Sequence, residues 1–362
     1  MIRWTKRIGM GLVIVALLAV AGFYMFQRQI GEALFERGIA ERIGRDPAAE
    51  LEDGLHVYMC GTGSPMADHH RAGPCIGVVA GEHVFLFDAG SGSMRTANRM
   101  GFPLTRTERL FLTHIHSDHF DGMGELMVQA WAGGGRDRPL PVWGPPGTVE
   151  TAQGFNAAYR IDSSYRTAHH GTGVANPAGY GFAPREIRLP AGAGSAVVYR
   201  RDGVTITVFS VTHDPVESPF GYRIDYRGRS IAISGDTAYD SNLAAVSEGV
   251  DILFHEALDP EMVGTMGRVA ERRNADVVAK ILSDIPSYHA SPEEAARAAQ
   301  EAGAGTLVFY HIIPPLPSRL LHAYFLGDAG DCFDGPIRLA EDGELISLPA
   351  NSDAIEYRSV LR

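Results

Sequence analysis

The chain reads as an α/β protein: an αββα four-layer sandwich, two sheets face to face with helices outside, preceded by an apolar N-terminal helix. Three observations predict this. From Leu55 onward, short β-rich runs recur between Gly, Pro and Asp, as strands do. Helical stretches separate the later runs. The order is strands first, then strands mixed with helices, in two halves. A length of 362 residues, 45% of them hydrophobic, with 42 glycines, suits a loop-rich fold with a sizeable core.

The N-terminus comes first. Gly9 to Phe26, GMGLVIVALLAVAGFYMF, is 18 residues without a charge. At ~1.5 Å per residue it extends about 27 Å, enough to cross a hydrocarbon core. Arg3, Lys6 and Arg7 precede it, so the N-terminus is expected to stay in the cytoplasm while the rest crosses. Residues 1–26 are therefore read as a membrane anchor. The alternative is a cleaved signal sequence, for which Ala19-Val20-Ala21 suits the cleavage site. Either way the following domain is expected outside the cytoplasm: membrane-anchored, periplasmic in a Gram-negative cell, or secreted after cleavage. Residues 27–50 read as a connector helix, with Ile30, Leu34, Phe35, Ile39 and Ile43 at helical spacing and Pro47 closing it. Residues 51–362 form the main domain.

Within that domain HVYMC, IGVVAGEHVFLFDAG, RLFLTH, VTITVFSVTH, YRIDYRGRSIAISGDT, DILFHEA and TLVFYH read as strands, several ending in His or Asp. Strand ends are where a sheet scaffold presents a site on rigid elements. Helices are expected over 121–131, over 261–284 and in SPEEAARAAQEAG, where Ser291 and Glu294 form a capping box and Gly303 ends the helix. Residues 147–194 read as an insertion over the active-site face. The cysteines, Cys60, Cys75 and Cys332, form no zinc pattern. Buried free thiols are expected, with a Cys60–Cys75 bridge as the alternative for an exported domain.

The motif THIHSDHFDG carries the chemistry. His114, His116, Asp118 and His119 form H-x-H-x-D-H. In an extended loop His114 and His116 point the same way and can grip one metal. Asp118 and His119 can reach a second. Imidazole plus carboxylate suits zinc or a similar borderline metal. Each ion still needs a third ligand, and a shared carboxylate can bridge. His213, Asp236 and His311 stand where strands meet loops. The expected sets are His114, His116 and His213; Asp118, His119 and His311; and Asp236 between them.

Together with GTGSP (61–65), FDAGSG (87–92), SGDT (234–237), FHEA (254–257), YHASPEEAA (288–296) and YHI (310–312), this motif resembles the metallo-β-lactamase superfamily, specifically its ribonuclease Z and arylsulfatase-like branch. The likeness covers roughly residues 55 to 348. It implies an αββα metallo-β-lactamase sandwich and a binuclear hydrolase holding two divalent ions, Zn2+ first, with Mn2+ or Fe as alternatives. By the same resemblance His255 is the proton donor, Glu256 orients it, and Asp88 hydrogen-bonds a ligating imidazole. Asp118 would also orient the nucleophile. His289 stands open between a supporting role at the metals and a purely structural one.

The implied reaction is attack on an ester-type bond by a hydroxide bridging the metals, with His255 protonating the departing oxygen. The main expectation for substrate is a small-molecule ester: an aryl sulfate, phosphodiester or lactone. The formal net charge of −11 and the expected export argue against nucleic acid. So does the tight Arg-Gly turn between GYRI and SGDT, where some ribonuclease Z enzymes carry a tRNA-gripping arm. Cleavage at tRNA 3′ ends is the alternative. A membrane-tethered metal-binding sensor with little turnover is a second. Other expected partners are the membrane, through the N-terminal helix, and a second copy of the chain as an open alternative. His69, His70 and Arg71, and Tyr165, Arg166, His169 and His170, are candidate pocket borders or solvated loop.

Overall fold

The computed structural model describes residues 2–40 and 43–361. The chain divides into two compact units, one running to Pro47 and one beginning at Ala48. The first is a single helix, α1 (Ile2–Ala40), followed by residues 43–47. No proline interrupts 27–40, so the apolar run and the expected connector form one helix instead of two elements. Residues 41 and 42 of that connector lie outside the described residues. Leu12, Leu18, Tyr24 and Met25 are all more than 60% exposed. In length and composition α1 suffices to cross a membrane.

The second unit holds two sheets. The first has eight strands in the order β15-β14-β1-β2-β3-β4-β5-β6. Its members are β1 (Gly54–Gly61), β2 (Cys75–Ala80), β3 (His83–Phe87), β4 (Arg109–Phe111), β5 (Leu140–Gly144), β6 (Phe182–Glu186), β14 (Glu344–Pro349) and β15 (Glu356–Ser359). The second has seven strands in the order β13-β12-β11-β10-β9-β8-β7. These are β7 (Ser195–Arg201), β8 (Val204–Ser210), β9 (Phe220–Tyr226), β10 (Arg229–Ile233), β11 (Ile252–Leu258), β12 (Leu307–Ile313) and β13 (Ile337–Leu339). Helices α2 (Ser93–Met100), α3 (Met123–Val128), α4 (Thr148–Ala158) and α5 (Arg160–His170) come between strands of the first sheet. Helices α6 (Ser241–Val246), α7 (Pro260–Arg272), α8 (Asp276–Asp284), α9 (Pro292–Ala302), α10 (His322–Leu326) and α11 (Ala329–Cys332) follow among those of the second.

Three of the apolar cores among the described residues explain the layering. Between the sheets lie Phe87, Phe111, Tyr222, Phe254 and Tyr310, with rings 5.2 to 5.3 Å apart among Phe87, Phe111 and Tyr222. Outside the first sheet, Met94, Met123 and Leu126 pack on Leu86 and Leu110. Outside the second, the alanines of α9 pack on Leu253, Ala257 and Phe309. Strands buried on both faces lose the polar alternation of half-exposed ones, which is why their sequences read as continuous apolar runs.

Several expected elements differ in detail. The stretch 261–284 is two helices, because Asn274 takes a left-handed φ of 54° and turns the chain. Residues 147–194 hold α4, α5 and β6, so this region is more regular than its sequence suggests. Cys60 and Cys75 are disulfide-bonded, not free, since they face each other at the paired ends of β1 and β2 with Cα atoms 5.1 Å apart. Cys332 is free. β9 and β10 are joined by a tight turn at Arg227-Gly228.

Candidate metal centre

The site forms where strands of both sheets end. Beyond β4, the loop 113–116 carries His114 and His116 into a short 3-10 turn, Ser117–His119, that presents Asp118 and His119. His114 and His119 are fully buried, while His116 is exposed at the mouth. Asp88, just past β3, anchors this loop. Its carboxylate accepts the Thr113 N–H and hydroxyl, both at 2.8 Å, and the His119 Nδ1–H at 2.8 Å. That bond fixes the His119 tautomer and leaves Nε2 facing inward.

The second sheet supplies the rest from separate strand ends. His213 follows β8, and its Nδ1 donates to the Tyr288 carbonyl at 2.8 Å, freeing Nε2. Asp236 follows β10 through Gly235, whose φ is 64° and where a Cβ would stand 2.5 Å from the Phe220 carbonyl oxygen. Glycine is required there by both conformation and space. His311 lies within β12 at a register shift: Glu256 pairs with Tyr310 and Ala257 with Ile312. The extra residue has φ 46°, and such a bulge re-aims a side chain.

Seven donors converge in two groups. His114 Nε2 and His213 Nε2 lie 2.9 and 3.4 Å from His116 Nδ1, and Asp236 Oδ2 is 3.8 Å from His114 Nε2. Asp118 Oδ2 stands 3.5 Å from His119 Nε2 and 3.3 Å from His311 Nε2. Asp236 Oδ2 also lies 3.3 Å from His119 Nε2 and 3.4 Å from His311 Nε2, so one carboxylate oxygen serves both groups. Donors each about 2.1 Å from a tetrahedral ion stand about 3.4 Å apart, so these spacings fit zinc-like ions. Asp236 Oδ1 and His119 Nε2 are buried and lack a hydrogen-bond partner. Such groups are costly in a protein interior unless a cation satisfies them.

Charge follows from burial. Desolvation lowers the pKa of His114, His116 and His213, favouring the neutral form that ligates. Desolvation also acts on His119, but Asp236, Asp118 and Asp88 outweigh it and raise that imidazole.

The proton-donor assignment requires correction. His255 and Glu256 are adjacent on β11, so their side chains point to opposite faces. His255 lies on the face of Leu253 and Ala257, against α9, with Nδ1 at 2.6 Å from the Glu256 carbonyl and Nε2 unpartnered. Glu256 faces the metal groups. Its Oε1 accepts from Thr237 N at 3.2 Å, Ala290 N at 3.2 Å and His289 Nδ1 at 2.9 Å. Glu256 therefore orients His289, not His255. His289 stacks on His311 at 5.7 Å and forms a third convergent group with Asp236 and His311. Burial pushes the His289 imidazole down, but Glu256 outweighs this and lifts it to about 8. Strand alternation alone already excluded a His255–Glu256 pair at the site. The partner of Glu256, 33 residues away, had no local signal.

The other candidates scatter. His69 and His70 border an apolar cavity. Arg71 turns inward to the Thr62 hydroxyl and the Ala340 carbonyl. Tyr165, His169 and His170 are exposed on α5, and Arg166 pairs with Asp162 at 2.7 Å. The helix before it, α4, lies beside the histidine motif through Phe155 and Phe120, 6.1 Å apart.

The chain matches the beta-lactamase superfamily domain over residues 83–312. It is 35% identical over 300 residues to a protein named ribonuclease Z from Mycobacterium avium (strain 104), covering 82% of this chain and all of that one. To ribonuclease Z of Mycobacterium bovis (strain BCG / Pasteur 1173P2) it is 36% identical over 264 residues, covering 72% of this chain and 87% of the relative. Among solved structures, the metallo-beta-lactamase fold protein YhfI from Bacillus subtilis superposes with a TM-score of 0.58 at 20% identity, over 82% of this chain and all of that one. Human tRNase Z, short form, does so at 0.54 and 20% identity, over 81% of this chain and 99% of that one. At this identity the structures show a shared fold. The ribonuclease relatives overturn the expectation that the partner is a small-molecule ester with nucleic acid disfavoured, and they favour the alternative of a ribonuclease Z-like chain. A net charge summed over the whole surface does not report on the local field at one metal-binding mouth.

Proposed function

The chain belongs to the metallo-β-lactamase-fold superfamily, within its ribonuclease Z branch, and on that premise we propose that it is a metal-dependent endoribonuclease hydrolysing a phosphodiester bond of RNA. One observation carries the reading: two donor groups share the single Asp236 oxygen, in a chain whose relatives at 35% identity are ribonucleases. Two divalent ions, when bound, supply Lewis acidity toward phosphate and a nucleophile from water at neutral pH. The chain supplies the rest. Asp88, Tyr288 and Thr113 hold the imidazole tautomers of His119, His213 and His114 in turn, so their Nε2 atoms stay inward. Glu256 holds His289 with Nδ1 protonated and its other edge toward the donor groups, suited to hand a proton to the departing ribose oxygen. The test is cleavage of precursor tRNA and of unstructured RNA by zinc- or manganese-loaded protein. Metal-loaded protein that leaves every RNA intact removes the reading.

We further propose that the domain works outside the cytoplasm, tethered by α1. The uncharged run within α1 and its exposed apolar side chains support this. So does the Cys60–Cys75 bridge, of a kind that persists in oxidising compartments. A reporter fused after residue 50 that is active only in the cytoplasm would count against it.

A further inference from the structure

A cavity of about 480 Å³ lies beyond the ends of the ligand-bearing strands. Its walls leave from the site itself. Pro314 and Pro315 follow His311 by three and four residues, which limits the separation of Pro314 from that ligand to about 11 Å. Met262 and Met266 of α7 follow Glu256 along the chain after β11. Opposite chemistry meets there. Prolines, thioethers and the Tyr324 ring offer flat apolar surface, while the loop 67–70 brings Asp68, His69 and His70. The Asp68 carboxylate accepts from His70 N at 2.7 Å, which folds the loop so that the pocket has a polar wall.

We infer that this cavity seats a nucleobase of the RNA strand beside the cleaved phosphodiester, an inference that rests on the ribonuclease reading. A base has apolar faces and a polar edge, and the cavity presents apolar walls and one polar wall. The size suits a nucleotide rather than a helix or an extended peptide, at the lower end of ordinary ligand pockets. Stacking on the Tyr324 ring and the prolines would supply affinity, and it tolerates any base sequence. A hydrocarbon chain would make no use of the polar wall of Asp68, His69 and His70.

The test uses the full chain in detergent, loaded with zinc. Binding of the four nucleoside 5′-monophosphates is measured by equilibrium dialysis, and RNA cleavage is measured in parallel as kcat and KM. Thr265→Trp fills the cavity from an exposed helix position, and Tyr324→Ala removes one ring in case the first variant misfolds. The inference expects saturable nucleotide binding, weakened about tenfold by either variant, with RNA KM raised by a similar factor and kcat little changed. Absence of nucleotide saturation in the unaltered chain overturns it, as does wild-type KM in both variants. So does a cavity that retains detergent hydrocarbon and excludes nucleotide. If RNA is cleaved but KM is indifferent to both variants, only the pocket assignment falls. If no RNA is cleaved, the ribonuclease reading falls as well.

Discussion

The two sheets contribute to the metal centre in different ways. The first delivers four donors from one continuous turn, His114 to His119, braced by a single carboxylate, Asp88. The second delivers three donors from three separate strands and adds a Glu256–His289 pair assembled from β11 and a distant loop. A local cluster depends on the geometry of six consecutive residues and one brace. A distributed one depends on strand register, where a shift of one position sends a side chain to the opposite face. The second sheet is therefore where sequence reasoning is easily misled, and where single substitutions should separate binding from chemistry.

Four substitutions probe this contrast, beginning with the largest effect. Asp236→Ala removes the oxygen common to both groups. It should abolish RNA cleavage and lower bound metal below two ions per chain, read by elemental analysis. Retention of two tight ions would make the sites independent of their bridge. His289→Ala should keep the metals yet slow turnover roughly 10²- to 10⁴-fold, the scale of one acid–base group. Metal loss in that variant would instead make His289 a ligand. Asp88→Asn, on the first sheet, should weaken metal binding about 10- to 100-fold through the freed His119 ring. His255→Ala should leave turnover within a few-fold of the parent. It should cost about 1–3 kcal/mol of stability in a denaturant melt, since a buried ring is lost together with an unpartnered nitrogen. If His255→Ala instead matches His289→Ala in turnover, the facing of β11 argued above is wrong.

Much of this was legible beforehand, for physical reasons. Strand runs buried on both faces announce themselves by composition, and VTITVFSVTH and TLVFYH contain β8 and most of β12, although β8 stops at Ser210 and β12 continues past His311 to Ile313. The capping box at Ser291 forms as its residues dictate. Other features depend on what folding brings together. The Cys60–Cys75 bridge required knowing that β1 and β2 pair with Gly61 opposite Cys75. The bulge that aims His311 is a property of the β11–β12 ladder, not of the residues YHI. The substrate class lay beyond charge counting, because total charge averages over a surface of which the site is a small part.

The disulfide has one more consequence. It closes the 15-residue span between Cys60 and Cys75, within which lies the loop carrying Asp68, His69 and His70. In the chain-entropy picture, a covalent ring of that size removes about 3 kcal/mol of freedom from the unfolded chain. The segment is thus cinched at its root while its tip, at His69 and His70, stays exposed to solvent. The same span is tied down a second time by hydrogen bonds from Thr62 and Ala72 to Asp342, so its root is fixed both covalently and by a carboxylate.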